Sequence, residues 1–150
     1  MSLQSKISED VKNALRNQEK LKLSVLRMLL ASIKNRIIEL KNKELPDEQI
    51  VAVIGSEIKK RRDAVYEFEK VGRQDAADAE KDEISILMDY MPAQLTEDQI
   101  ISLIDNTISE LSIESIKDLG KLMKSLMPKT RGKADGALVS KLVREKLDNL

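Results

Sequence analysis

KLKLSVLRMLLASIKNRIIELKN, residues 20–42, is the stretch whose reading decides the fold class. Leu23, Leu26, Leu30, Ile33, Ile37 and Leu40 recur in it at alternating three- and four-residue steps. That spacing lays apolar side chains along one face of an α-helix and resembles a coiled-coil seam. The segment predicts a helix from about Glu19 to Asn42, which Pro46 separates from the next one.

Working outward, the same periodicity continues and no strand-like alternation interrupts it. Leu3, Ile7, Val11, Ala14 and Leu15 mark a first helix over 3–17. Ile50, Ile54, Ile58, Val65 and Phe68 mark a third from 46 or 47 to Val71, where Gly72 supplies the left-handed residue that closes a helix. A fourth, over 74–89, carries Ala76, Ala79, Ile84, Leu87 and Tyr90 before Met91-Pro92 ends it. Beyond Pro92 the elements shorten. Thr96 and Gln99 form a capping box before Ile100, Leu103, Ile104 and Ile108. Ser115 and Asp118 suggest a second box, opening a helix through Ile116, Leu119, Met123 and Leu126 that Pro128 should stop. A loop over 129–133 then leads to a last helix from about Ala134, carrying Leu138, Leu142, Val143 and Leu147. The expectation is an all-α protein: a bundle of long helices over 1–93, then a small three-helix module over 94–150.

Composition agrees with this and removes whole classes of chemistry. The 150 residues are 41% hydrophobic and 35% charged but only 2% aromatic, a profile of helices packed by aliphatic side chains. Without cysteine there is no thiolate nucleophile, disulfide or thiolate metal site, and without histidine no imidazole base. Asp78 and Asp82 share a helix face, yet a cation needs oxygens converging from several segments, so no metal and no cofactor are expected. The apolar runs are too short to span a bilayer, and the first residues lack the apolar core of a signal peptide. The expected location is the cytoplasm.

The 26 basic and 26 acidic residues cancel, but they are unevenly placed. From Lys20 to Lys43 seven cations accompany one acid, Glu39, and Lys59-Lys60-Arg61-Arg62 winds around a full turn, so one of its members should lie against the core boundary. Residues 74–89 and 96–111 lean acidic. Such faces ordinarily serve solvation and mutual packing. From Lys117 to Lys146 nine cations accompany three acids, with three of the chain's five glycines among them. Gly132 permits close approach of a backbone, and Lys133-Ala134 should lead into a helix N-terminus suited to a phosphate. Lys121, Lys124, Lys129, Arg131, Gly132 and Lys133 are therefore the candidate polyanion contacts. No aromatic lies among them, so recognition would rest on phosphates and shape.

Gly72-Arg73-Gln74-Asp75 after Tyr66 and Phe68, Tyr90-Met91-Pro92-Ala93-Gln94-Leu95, Asp118-Leu119-Gly120-Lys121 and Gly132-Lys133-Ala134-Asp135-Gly136 occur in order. With Leu26-Arg27, they resemble the YqeY-like proteins, stand-alone relatives of the tail of the GatB subunit of tRNA-dependent amidotransferases. Met91 stands where the family more often has Leu. The resemblance implies a helical module that touches tRNA while chemistry occurs elsewhere, with tRNA and amidotransferase or other tRNA-processing subunits as partners. It adds Gly72, Arg73, Pro92, Gly120, Asp135 and Gly136 as motif residues and implies no catalytic residue. Two alternatives remain: a component with carbon–nitrogen ligase activity using glutamine as amido-N-donor, and a protein-interaction adaptor using the second-helix seam.

Overall fold

The computed structural model describes all 150 residues, and every regular element in it is helical. The first four helices are α1 (Leu3–Arg16), α2 (Lys20–Leu40), α3 (Asp47–Lys70) and α4 (Gln74–Met88); only α2 and α3 are long, so the expected shortening beyond Pro92 is relative to those two alone. They are followed by α5 (Glu97–Leu111), a short 3₁₀ turn (Ile116–Asp118), α6 (Leu119–Thr130) and α7 (Gly136–Asp148). The chain folds as two compact units, Met1–Met91 and Pro92–Leu150.

In the first unit α3 and α4 form the most extensive pair, and α1 lies along α2. Their core joins Ile7, Leu26, Leu29, Ile33, Ile50, Ile54, Ile58 and Leu87. Burying each such side chain contributes about 1.5–3 kcal/mol before conformational entropy is charged against it. The inward face of α2 is rotated from the expected seam. Val25 and Leu29 are buried beside Leu26 and Ile33, whereas Leu23, Leu30 and Ile37 are half-buried and Leu40 is exposed. A seam meeting one partner is narrower than this face, because α2 packs against α1, α3 and α4 together. In α4, likewise, Ala77 is buried and Ala79 is exposed.

Turn chemistry explains the joints. Gly72 takes φ +75° after α3, and the Arg73 amide donates to the Phe68 carbonyl at 2.8 Å, so the left-handed residue the sequence supplies is used. Arg73 also lies 5.4 Å from the centre of the Phe68 ring. At the end of α4 the buried Tyr90 donates its hydroxyl to Asp10 Oδ2 at 2.6 Å, fastening α4 to α1. Burial, then the Asp10 carboxylate, push the Tyr90 phenol above its ordinary pKa, so it remains a donor.

The second unit packs Ile100, Ile104, Leu122, Leu126, Val139, Leu142 and Val143 into one core. The capping box at its entrance is present in both halves: Gln99 N donates to Thr96 Oγ1 at 3.2 Å and Thr96 N to Gln99 Oε1 at 2.9 Å. Three expectations are corrected here. Ser115 caps the 3₁₀ turn, not a helix, through Lys117 N at 3.3 Å, and Ile116 is half-exposed at 50%. Pro128 does not stop α6, which runs to Thr130. It lies in the last turn on the exposed side, where one missing N–H is tolerable, and Arg131 N still reaches the Met127 carbonyl at 2.9 Å. The last helix begins at Gly136, not Ala134, because Asp135 is its N-cap, accepting from Ala137 N at 3.3 Å.

Candidate nucleic-acid interface

The candidate cations divide by their neighbours. Lys121 and Lys124, three residues apart on α6, are exposed on one face of that helix and form no ion pair. Beside them Gly120 carries no side chain, and a Cβ added there would meet nothing within 4 Å. Nothing inside the second unit therefore requires glycine at this helical position, where it costs stability. Lys129, by contrast, belongs to α6 and is half-buried. Its Nζ lies 3.7 Å from Glu110 Oε2 and 3.4 Å from Thr107 Oγ1. That pairing offsets its charge and makes it the least available of the set.

Arg131, Gly132 and Lys133 form the turn after α6. Gly132 has φ +75°, which an L side chain would adopt only with strain. Lys133 N and Ala134 N both donate to the Thr130 carbonyl, at 2.9 and 3.1 Å. The segment after Pro92 braces the same turn: Gln94 Nε2 donates to the Gly132 carbonyl at 2.9 Å and Leu95 N to the Lys133 carbonyl at 2.8 Å. Two stretches far apart in sequence, Pro92–Leu95 and Gly132–Gly136, thus meet. Arg131 and Lys133 project as exposed side chains from a fixed backbone. Sequence reading missed Gln94 as the brace. A lone amide after a helix-ending proline gives no signal of a partner 38 residues away.

The expected phosphate seat at the α7 N-terminus changes character. Asp135 places a carboxylate there, bound to Ala137 N, so the partial positive charge of the helix end already has its anion. Gly136, like Gly120, has open space where a Cβ would be. What the unit offers is therefore a set of exposed cations beside bare backbone, suited to contacting phosphates and not to enclosing one. The motif residues Gly72 and Arg73 belong to the α3–α4 turn of the first unit, where Gly72 terminates one helix and Arg73 lies over the Phe68 ring.

In the first unit Arg61 is the inward member of the Lys59–Arg62 run, as a full turn of cations requires. It lies against Glu80 Oε2 at 3.3 Å and against Glu83, and its Nε has no acceptor. Burial raises the Glu83 pKa above its ordinary value despite the opposing pull of Arg61. No group of three or more His, Cys, Asp or Glu side chains is placed to hold a metal ion. No helix is long and apolar enough to cross a membrane.

Comparison with known proteins places this arrangement. A protein of Kluyveromyces lactis named "Altered inheritance of mitochondria protein 41, mitochondrial" is 33% identical over 87 residues, covering 58% of this chain and 47% of its own length. Its namesake in Lachancea thermotolerans is 31% identical over 108 residues, covering 70% of this chain and 57% of its own length. That of Pyrenophora tritici-repentis is 27% identical over 143 residues, covering 93% of this chain and 78% of its own length. The chain spans about half the length of the first two of these relatives. Their naming as mitochondrial proteins overturns the expectation of a cytoplasmic location, which rested on short apolar runs and the lack of a signal-peptide core. The sequence pattern of the Yqey-like proteins matches residues 4–147, so almost every residue described above lies within it, and the chain belongs to that family.

Proposed function

We propose that this chain is a non-catalytic helical module that contacts tRNA phosphates through Lys121, Lys124, Arg131 and Lys133, with Gly120 and Gly132 giving the RNA backbone room to approach. The observation that carries the reading is the set of unpaired, exposed cations on α6 and the turn after it, with a helical glycine before Lys121 that no internal packing demands. Membership of the YqeY-like family supports it, through that family's likeness to the tail of an amidotransferase subunit. Lys129, held by Glu110 and Thr107, contributes less than its neighbours. Recognition of this kind reads shape and charge, not base sequence.

Binding of labelled tRNA to the full chain, measured across a salt series starting near about 50 mM, tests the proposal. The combined replacement Lys121→Ala, Arg131→Ala and Lys133→Ala should weaken binding and flatten the salt slope by about 2–3 units, at roughly 0.7–0.9 per phosphate contact. Lys129→Ala should change the slope least. Binding by the triple variant that matches the unaltered chain at every salt concentration refutes the reading, as does a chain that binds no tRNA at the lowest salt.

A further inference from the structure

The outward face of α2 holds a second ordered pattern, opposite the buried one. Leu21, Ser24, Met28, Ala31, Asn35 and Ile38 alternate at three- and four-residue steps and are all exposed. Leu21, Met28 and Ile38 keep 45%, 52% and 65% of their surface in water. Along one flank run Lys20, Arg27 and Lys34, seven residues apart and therefore about 10.5 Å apart along the axis, and Lys41 follows as the left-handed residue that ends the helix. All four are exposed, and none forms an ion pair. On the other flank Asn35 and Glu39 line a groove of about 450 Å³ between α2 and α3, whose α3 side includes the small residues Ala52 and Ser56.

We propose that this face docks an amphipathic helix of another protein, one carrying a leucine-type stripe and a row of Asp or Glu along the edge that meets Lys20, Arg27, Lys34 and Lys41. The spacing is that of positions a, d and g in a heptad, so the apolar residues seat the partner and the cations choose it. Charge argues against a second copy of this chain. An antiparallel copy would set Lys20 against Lys41 and Arg27 against Lys34. A parallel copy would face the row with Val25, Ser32 and Glu39, one acid for four cations, and Val25 is buried in its own bundle. A membrane surface fits less well, because Ser24 and Asn35 interrupt the stripe and it holds no aromatic anchor. The surface belongs to the first unit and the cations proposed for tRNA to the second, and the proposal does not depend on them.

A fluorescent peptide of about three heptads, with Leu at a and d and Glu at e and g, is the probe, and the same peptide with Lys for Glu is its counterpart. Anisotropy should report binding of the full chain to the Glu-edged peptide, weakened by salt, and little binding to the Lys-edged one. Arg27→Glu with Lys34→Glu should weaken the first by at least about tenfold and create affinity for the second. Met28→Ser with Ile38→Ser should weaken the first peptide without creating affinity for the second. These side chains are exposed, so unchanged helical circular dichroism is expected for both variants. Absence of binding to the Glu-edged peptide, equal binding of the two peptides, or indifference to both variants overturns the proposal. So does sedimentation showing a dimer that Met28→Ser with Ile38→Ser abolishes. Retention on phosphatidylglycerol vesicles without peptide binding overturns it in favour of a lipid surface.

Discussion

Replacing Arg61 by methionine probes a place where the first unit holds a cation and two carboxylates against its core. Arg61 keeps 11% of its side-chain surface, and Glu80 and Glu83 keep 23% and 22%. Removing the cation leaves two carboxylates three residues apart on α4, facing the space the guanidinium filled. Breaking a fully buried pair costs about 3–5 kcal/mol. Methionine refills the volume of the aliphatic stem and the carboxylates retain some water, so the expected loss is about 2–3 kcal/mol, or roughly 10 °C in melting temperature. The pH dependence supplies the sign. Glu83 titrates above its ordinary value in the folded chain, so folding takes up a proton as pH falls through that range. The stability tied to this proton is fully present below the unfolded-state pKa and is lost as pH rises through the raised one. Without Arg61 the Coulombic pull that holds Glu83 down is gone and its pKa climbs further. The variant therefore gains more on acidification, and its deficit should shrink between neutral pH and about pH 5. Urea unfolding followed by circular dichroism across that range measures both quantities. A deficit below about 1 kcal/mol at neutral pH, or one that widens on acidification, refutes the reasoning. The combined variant with Glu80→Gln and Glu83→Gln should recover most of the loss.

Tyr90→Phe removes the 2.6 Å bond to Asp10 while leaving the ring in place, and urea titration should show a loss of about 1–2 kcal/mol. Gly120→Ala, in the first turn of α6, should stabilise the chain by up to about 0.5 kcal/mol, read as a higher melting temperature, while weakening tRNA binding. An alanine that stabilises the chain and leaves binding intact would remove Gly120 from the interface. Thr96→Ala takes away half of the capping box and should cost about 1 kcal/mol in thermal unfolding, with Gln99→Ala costing less.

Much of this was readable from local chemistry, because helices announce themselves at their ends. Thr96 and Gln99, Gly72, and the Tyr90-Met91-Pro92 break each act within a few residues, and each does in the structure what its type predicts. The errors arise where one local bond outweighs another, or where a distant neighbour decides. Pro128 marks a stop in isolation, but Thr130 is buried and its hydroxyl returns to the Leu126 carbonyl at 3.2 Å, holding the last turn together. Ala134 looks like a helix start until Asp135 is seen to cap Ala137. The phase of α2 shifts because the helix faces three others, and no periodicity along one stretch of sequence encodes that number. The same holds for the candidate site. The cations Lys121 and Lys124 could be picked out by type, but only the fold separates them from Lys129, whose partner Glu110 lies on another helix.

The four unpaired cations also bound the strength of the proposed RNA contact, and with it the way such a chain would work. Four phosphate contacts correspond to a salt slope of about −3, a dependence typical of weak, sequence-independent binding. No aromatic in the second unit adds base stacking, and the α7 N-terminus after Lys133 is satisfied by Asp135. On the proposed reading, a module with this endowment would not select an RNA unaided but would add affinity to an assembly that already holds one. The outward face of α2 offers the means, since a partner docked there makes the second contact intramolecular and multiplies affinity by effective concentration without any further phosphate contact. In that arrangement the α2 charge reversal would weaken RNA binding by the assembled complex far more than by the isolated chain, where only the altered net charge acts. The Lys121, Arg131 and Lys133 replacements weaken both.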